Sequence, residues 1–434
     1  MNSHRKRHLA ILLCLLAVGL PAQALASGFI LPSSGAKASS MAGAWIAQGD
    51  DLSVMDHNPS QLARQREIGI EAHYTGYLFD ASFTPSGADG MPSSPVAKNT
   101  GDFLNHIPNL YAVFPIGERF VLGAGLFTPV GPRHTYGDSG AQRYQMQQAI
   151  IALAWGTVAG VYRVADDVAV SLSLDVGYVN ATQKFALGLI PGYRTFDGSL
   201  ILEGSGVQRP RPKLGVLWDV TDEWHLGVVA AAGMDYFIEG VIRADVPQVG
   251  FDPERDFDNI RASQRIPTDL RIGLGWTSHP FRAELAGRYY RWSEYKQQTV
   301  ELENNRIGAF HIDDLTVPKY YSDSFAIQLG GGWRFLPEHE VRAGYTFDSQ
   351  ATQDKGLTIQ DFDAPKHIIG LGYGWDIGER WNVNGAWNRV FYLERVVDDS
   401  EHTPIAVLGE PQQLGNGTYH WNVNTFALSV ATRF

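Results

Sequence analysis

Tyr419–Phe434 reads YHWNVNTFALSVATRF and alternates to its last residue. Phe426, Leu428, Val430, Thr432 and Phe434 fall on one face. Thr425, Ala427, Ser429, Ala431 and Arg433 fall on the other. A period of two with apolar residues outward and small or polar residues inward is the pattern of a strand in a membrane barrel wall. Val168, Val170, Leu172, Leu174, Val176 and Tyr178 repeat it. So do Phe281, Ala283, Leu285, Gly287 and Tyr289, which face away from Arg282, Glu284, Ala286 and Arg288.

Between such runs the connections alternate in length. Gly117-Glu118, Ala165–Asp167, Val220–Glu223, Ser278–Pro280, Leu336–His339 and Gly378–Arg380 are short. Longer loops lie near 83–103, 130–144, 188–206, 239–263, 297–318, 349–364 and 398–419. Six tight turns and seven loops predict 14 strands, an even count with both ends on the turn side. Outer-membrane barrels sort their connections this way, with short periplasmic turns and long external loops. Tyr289, Tyr290 and Trp292, and also Tyr320 and Tyr321, suit aromatic girdles at the interface. A terminal Phe434 closing an amphipathic strand resembles the signal read by the barrel assembly machinery. The expected fold is all-β: a 14-stranded antiparallel transmembrane barrel with a small N-terminal plug in its lumen.

The start of the chain fits this destination. MNSHRKRH is basic, LAILLCLLAVGL is apolar but short for a span, and Ala24-Leu25-Ala26 is an A-x-A cleavage site. Residues 1–26 therefore read as a signal peptide. Cys14, the one cysteine, lies inside it, so disulfide and thiol chemistry are excluded from the mature chain. Leu12-Leu13-Cys14 lacks the small residues that precede a lipoprotein cysteine. Losing Arg5, Lys6 and Arg7 takes the formal charge from -11 to -14, which argues against nucleic acid as a partner. No later run has 18 uncharged apolar residues, as a membrane helix would need. Yet the chain is 44% hydrophobic and 12% aromatic. Strands that show one apolar face to lipid account for that composition.

Ser27–Arg66 breaks the alternation and is rich in Ala, Gly and Ser. Gly35–Gln48 has the composition of a short helix, with Ser33 or Ser34 as N-cap. Asn58-Pro59 looks like an N-cap with proline at the first helical position, opening a turn through Ser60–Ala63. By its residues alone the segment is a lumenal plug or a floppy leader. The division expected is signal peptide 1–26, plug 27–66 and barrel 67–434.

Several stretches together resemble the FadL/TodX family of outer-membrane transporters for long-chain fatty acids and aromatic hydrocarbons. Ser27-Gly28-Phe29 is similar to its mature start. Gly35, Ala42-Gly43 and the run to Asn58-Pro59 resemble its plug motif, with Ser60 where the family usually has Ala. Ile107-Pro108-Asn109-Leu110-Tyr111 and Phe127-Thr128-Pro129-Val130-Gly131 resemble its second and third strands. Ile266-Pro267-Thr268-Asp269 with Gly273 and Gly275, Trp292-Ser293, and Asp363–Gly372 match later pieces. The resemblance favours the plug. It implies passive uptake: capture of an amphipathic ligand by a greasy patch among external loops, release by movement of the plug, and lateral exit beside the third strand. It also implies a monomer set in outer-membrane lipid and lipopolysaccharide, with no cofactor.

Candidate residues follow. Asn58, Pro59 and Ser60 are the plug motif. Gly123 and Gly125 are natural places for a bend in the third strand, unless they only relieve crowding in the lumen. A fatty-acid carboxylate needs a cation. Arg271, Arg288 and Arg342 fall on inward faces and suit it, unless they pair with inward acids such as Glu284 to fill the barrel. No metal site is expected: Asp252, Glu254, Asp256 and Asp258 crowd one loop, but not with EF-hand spacing. Two other readings stay open. One is a general diffusion porin with a disordered leader. The other is a lipid-acting barrel enzyme using Gly137-Asp138-Ser139-Gly140 near His134. A plug of about forty residues is too small for a TonB-driven receptor, whose barrel has about 22 strands.

Overall fold

Alternation becomes a wall wherever each strand finds a partner on both edges. The computed structural model describes residues 34–86, 97–98, 105–130, 133–138, 140–187, 197–245, 252–307, 310–311, 313–361, 363–401 and 415–434. Among them, 14 strands form the barrel: β1 Gly69–Pro85, β2 Asn105–Ile116, β3 Phe120–Val130, β4 Gln148–Ala165, β5 Val168–Leu187, β6 Arg211–Asp219, β7 Trp224–Ala231, β8 Asp269–Ser278, β9 Phe281–Tyr290, β10 Ser324–Leu336, β11 His339–Asp348, β12 Lys366–Ile377, β13 Trp381–Tyr392 and β14 Gly417–Arg433. Each pairs antiparallel with the next. β1 pairs with β14 from Gly69–Arg433 to Pro85–Gly417 and closes the ring, so no backbone edge faces lipid. All six predicted turns fall between consecutive strands.

The faces agree with the alternation. Phe426 and Leu428 are exposed while Ala427 and Ser429 are buried, and Leu172 and Leu174 are exposed while Ser171, Ser173 and Asp175 are buried. The expected girdles fare less well. Tyr289 faces outward, but Tyr290, Trp292 and Tyr321 are buried and cluster with Tyr295. An aromatic at a strand end packs on whichever side offers apolar neighbours.

On the long-loop side the wall continues as a collar. β5 keeps pairing beyond β6, with the strand Gly198–Val207. That strand pairs with Met234–Asp245, which pairs with Phe257–Ile266, then Gln297–Leu302, then Leu315–Pro318.

The plug lies inside. It contains α1 (Ala36–Ser40), α2 (Val54–His57) and a 3-10 helix (Pro59–Arg64), nearly all buried. The predicted helix from Gly35 to Gln48 stops after Ser40. Ala42 and Gly43 take positive φ, 51° and 93°, and Gly43 N–H turns back to the Ala38 carbonyl at 2.8 Å. No serine caps α1; Ser34 Oγ donates to Asp56 Oδ2 instead, at 2.6 Å. Glycines in the wall let α1 and its C-terminal turn come close to it. A Cβ at Gly344 would meet the backbone of Met41, and one at Gly370 would lie 2.5 Å from the Ser39 carbonyl oxygen.

Candidate functional site

Asn58-Pro59 opens a short helix, as the N-cap reading expected. Asn58 Oδ1 accepts from Ser60 N–H at 3.2 Å and caps the 3-10 helix, with Pro59 in its first turn. Asn58 Nδ2 donates to the Ile46 carbonyl at 2.8 Å and to the Val216 carbonyl of β6 at 3.2 Å. Ser60 adds its own bond from Oγ to Asn58 Oδ1 at 2.6 Å. One asparagine thus caps a helix, ties two parts of the plug together and docks them on the wall.

Glu284 is the second anchor, and sequence reading had assigned it to pairing with arginines. Its carboxylate accepts from Ile46 N–H at 2.5 Å, Ala47 N–H at 3.2 Å and Gln48 N–H at 2.9 Å. A loop presenting successive N–H groups makes an anion cradle, and an inward carboxylate fills it. Only the plug's backbone takes part, so its side chains carry no signal of it.

Beside the plug is a narrow cleft. Tyr77, Ile107, Trp155 and Ile266 supply apolar walls; Arg211, Asp269, Arg271 and Arg288 supply a charged floor. Ser34, Asp56, Thr75, Asn109 and Thr128 also line it, so most of its lining residues are polar. Arg271 and Arg288 both reach it. Each also holds Asp269: Arg271 through Nε and Nη2 at 3.0 and 2.6 Å, Arg288 through Nε and Nη2 at 3.0 and 2.7 Å. Arg271 Nη1 donates to the carbonyls of Asp56 and His57 at 2.6 and 3.1 Å, so the floor of the cleft is bonded to the plug. Arg211, missed in the sequence, lies over Trp155 with 5.2 Å to the ring centre.

Arg342 is not in the cleft. It donates to Ser40 Oγ at 2.9 Å, Glu340 at 2.6 Å and Asn384 at 2.7 Å, beneath α1. Glu340 is shared with Arg282, which reaches Asp50, and Asp50 holds Lys37. This chain of charges fastens plug to wall.

The plug's own ionisable groups are tuned by that setting. Burial dominates at His57 and lowers its pKa to about 4. The ring Nε2 lies 2.9 Å from the Ser34 carbonyl and, as the ring is neutral, donates to it. At Asp56, burial alone would raise the carboxyl; the charges of His57, Arg271 and Lys213 outweigh it and hold the pKa at about 2.

The third strand is irregular, though not at the glycines proposed for it. Gly123 and Gly125 pair regularly with Ala159 and Thr157. A Cβ at Gly123 would lie 2.6 Å from Leu62 and 3.1 Å from Met55, so this glycine makes room for the plug. The register shift falls between Phe127 and Val130, at Thr128-Pro129. The β2–β3 pairing stops at Leu110–Leu126, while β2 stays paired to β1 as far as Asn105. Thr128 N–H turns to the Asn109 side chain at 3.1 Å, and Pro129 has no N–H to offer. Ile107, Asn109, Thr128 and Pro129, on the two sides of this lost pairing, all line the cleft.

The acidic loop bonds to itself and its neighbours: Asp252 Oδ1 accepts from Glu254 N–H at 3.0 Å, and Asp258 accepts from Asn259 and Asn304. Ser139 lies outside the described residues, and His134 packs against Phe79 with 4.6 Å between ring centres.

Comparison with known proteins gives one consistent result. The family model for the outer membrane protein transport protein (OMPP1/FadL/TodX) matches residues 17–434. Outer membrane protein P1 of Haemophilus influenzae is 21% identical over 295 residues, a match spanning 62% of this chain and 62% of that protein. The crystal structure of a Pseudomonas aeruginosa FadL homologue superposes with a TM-score of 0.81 at 17% identity, covering 94% of this chain and all of that one. The toluene transporter TodX of P. putida gives 0.71 at 16% identity, covering 93% and 99%.

Proposed function

This chain belongs to the outer membrane protein transport protein family (OMPP1/FadL/TodX), and from that membership we propose that it takes up hydrophobic molecules passively, past its plug and sideways into the membrane. It is an outer-membrane transport protein, and the reading as a lipid-acting enzyme falls with the family assignment. The ligands proposed are long-chain fatty acids or aromatic hydrocarbons. The proposed setting is a monomer in outer-membrane lipid and lipopolysaccharide, inserted by the barrel assembly machinery.

One observation carries the reading. A single apolar cluster runs from Ile242, Ile260, Val300 and Leu302 in the collar, through Tyr236 and Ile266, to Leu153, Trp155 and Phe127 beside the cleft, and on to Met55 and Leu62 of the plug. Burying each CH₂ of an acyl chain is favourable by about 0.8 kcal/mol. Such a cluster offers an acyl chain apolar neighbours from collar to plug, where a water-filled pore would repel it. The lost pairing between β2 and β3 adjoins the cleft and supports exit there. A fatty-acid carboxylate entering the cleft competes with Asp269 and with the Asp56 and His57 carbonyls for Arg271. Binding then loosens the plug, which couples arrival to opening.

Planar-bilayer recordings test this. Intact protein is expected to conduct little, and a form lacking residues 27–66 to conduct strongly. Large steady conductance from the intact protein would instead make it a general diffusion porin. Uptake of a fluorescent fatty acid and of toluene, each measured with Arg271→Ala, separates the ligands: only carboxylate uptake should fall.

A further inference from the structure

Asp51 on the plug and Glu71 and His73 on β1 bring one ligand atom each within 4.8 Å of one another, and all three residues are buried. Their other contacts hold these atoms in place. Asp51 Oδ1 accepts from Trp45 Nε1 at 3.0 Å and from Ser53 Oγ at 2.7 Å, which leaves Oδ2 without a hydrogen-bond partner. Glu71 Oε2 accepts from Leu52 N–H at 2.7 Å, which leaves Oε1 without one. Both ring nitrogens of His73 are also unsatisfied. Nε2 lies 3.2 Å from Glu71 Oε1, close enough for an ion pair but without hydrogen-bond geometry. The edge of the ring meets Tyr111, 5.2 Å between centres. Lys37, the nearby ammonium, is bonded to Asp50. Buried polar atoms left unmatched are costly, and here they converge on one point from two segments of chain.

We propose that Asp51, Glu71 and His73 bind one divalent transition-metal ion, of which Zn²⁺ is the type, and that the ion staples the plug to β1. The donor set is two carboxylate oxygens and one imidazole nitrogen. It suits Zn²⁺, which takes oxygen at about 2.0–2.2 Å and imidazole nitrogen at about 2.0–2.1 Å and is content with three protein ligands and a water. Ca²⁺ needs six to eight oxygens, and imidazole selects for zinc, copper, iron or nickel over calcium. In a tetrahedral site ligands at those distances lie about 3.4–3.6 Å apart, so atoms now within 4.8 Å of one another close in by up to roughly 1.4 Å as the ion binds. Two carboxylates balance the ion's two charges. The bonds from Trp45, Ser53 and Leu52 are the kind of outer contact that aims ligating carboxylates. The spacing Glu71-x-His73 with a distant Asp51 is no metal motif in sequence, because the plug must dock before the site exists.

The test uses the full protein purified in detergent and stripped with chelator. Titration with Zn²⁺ is expected to show one ion per chain. Co²⁺ in its place is expected to give visible bands of a four- or five-coordinate site. Glu71→Gln, His73→Ala and Asp51→Asn should each weaken binding by at least about 10–100-fold, the loss known for outer-shell changes alone. His311→Ala, on an exposed loop, should leave it unchanged. Zn²⁺ should also slow proteolysis of the plug in the wild type but not in Asp51→Asn. Absence of stoichiometric binding, a Co²⁺ spectrum like that of the aqueous ion, or equal binding by all three triad variants would overturn the proposal. The Co²⁺ spectrum is read on the wild type alone, so a variant that fails to fold leaves the test decisive.

Discussion

At the scale of residues, His57 sets a pH dependence for the docked plug. In water its imidazole would take a proton near 6.5; in place it does so at about 4. Its contribution is therefore complete above pH 6.5 and lost as pH falls from there toward 4. The amount is about 3 kcal/mol. Cleavage of the plug by added protease should rise over that window, and His57→Gln should flatten the rise. Ser60→Ala removes one of the two bonds accepted by Asn58 Oδ1. It should lower stability by about 1 kcal/mol. Asn58→Ala also strips the Ile46 and Val216 carbonyls of a donor and should cost clearly more, as read from thermal unfolding of the two variants. Asn58 was legible in the sequence because a cap followed by proline is a local signal. Of the three arginines, Arg271 and Arg288 reach the cleft and Arg342 does not. Inward direction follows from the pleat, but height within the barrel depends on register, which a single strand's sequence does not encode.

Among the elements, the plug and β3 interlock through what their sequences omit. Gly123 faces Leu62 and Met55. A leucine there cannot coexist with the docked 3-10 helix, and such overpacking costs about 1–3 kcal/mol. Gly123→Leu is expected to fold as a barrel with a loosened plug, seen as frequent channel openings in bilayers. Glu284→Gln replaces an acceptor-only group with one that turns N–H toward N–H. With bonds to a charged group worth about 1.5–3 kcal/mol, openings should become at least about tenfold more frequent. The strands themselves were legible because a period of two and a short turn are read within a dozen residues. The lost pairing beside β3 was not. It arises where β2 keeps one partner and loses the other, and it falls at Thr128-Pro129, beyond the regularly paired Gly123 and Gly125.

Over the whole molecule, the strand count and the sorting of turns from loops were readable because closure demands them: every backbone group in the membrane must pair. The collar was not, since its strands read as loops. That collar has a consequence in simple length. A transmembrane strand needs about 9–11 residues, but β4 has 18 and β5 has 20. At about 3.3 Å per residue, the surplus on this side of the barrel is a rampart roughly 25–35 Å long, measured along the strand. On the proposed route, an oily solute taken in over it would never have to dissolve in a sugar coat around its base.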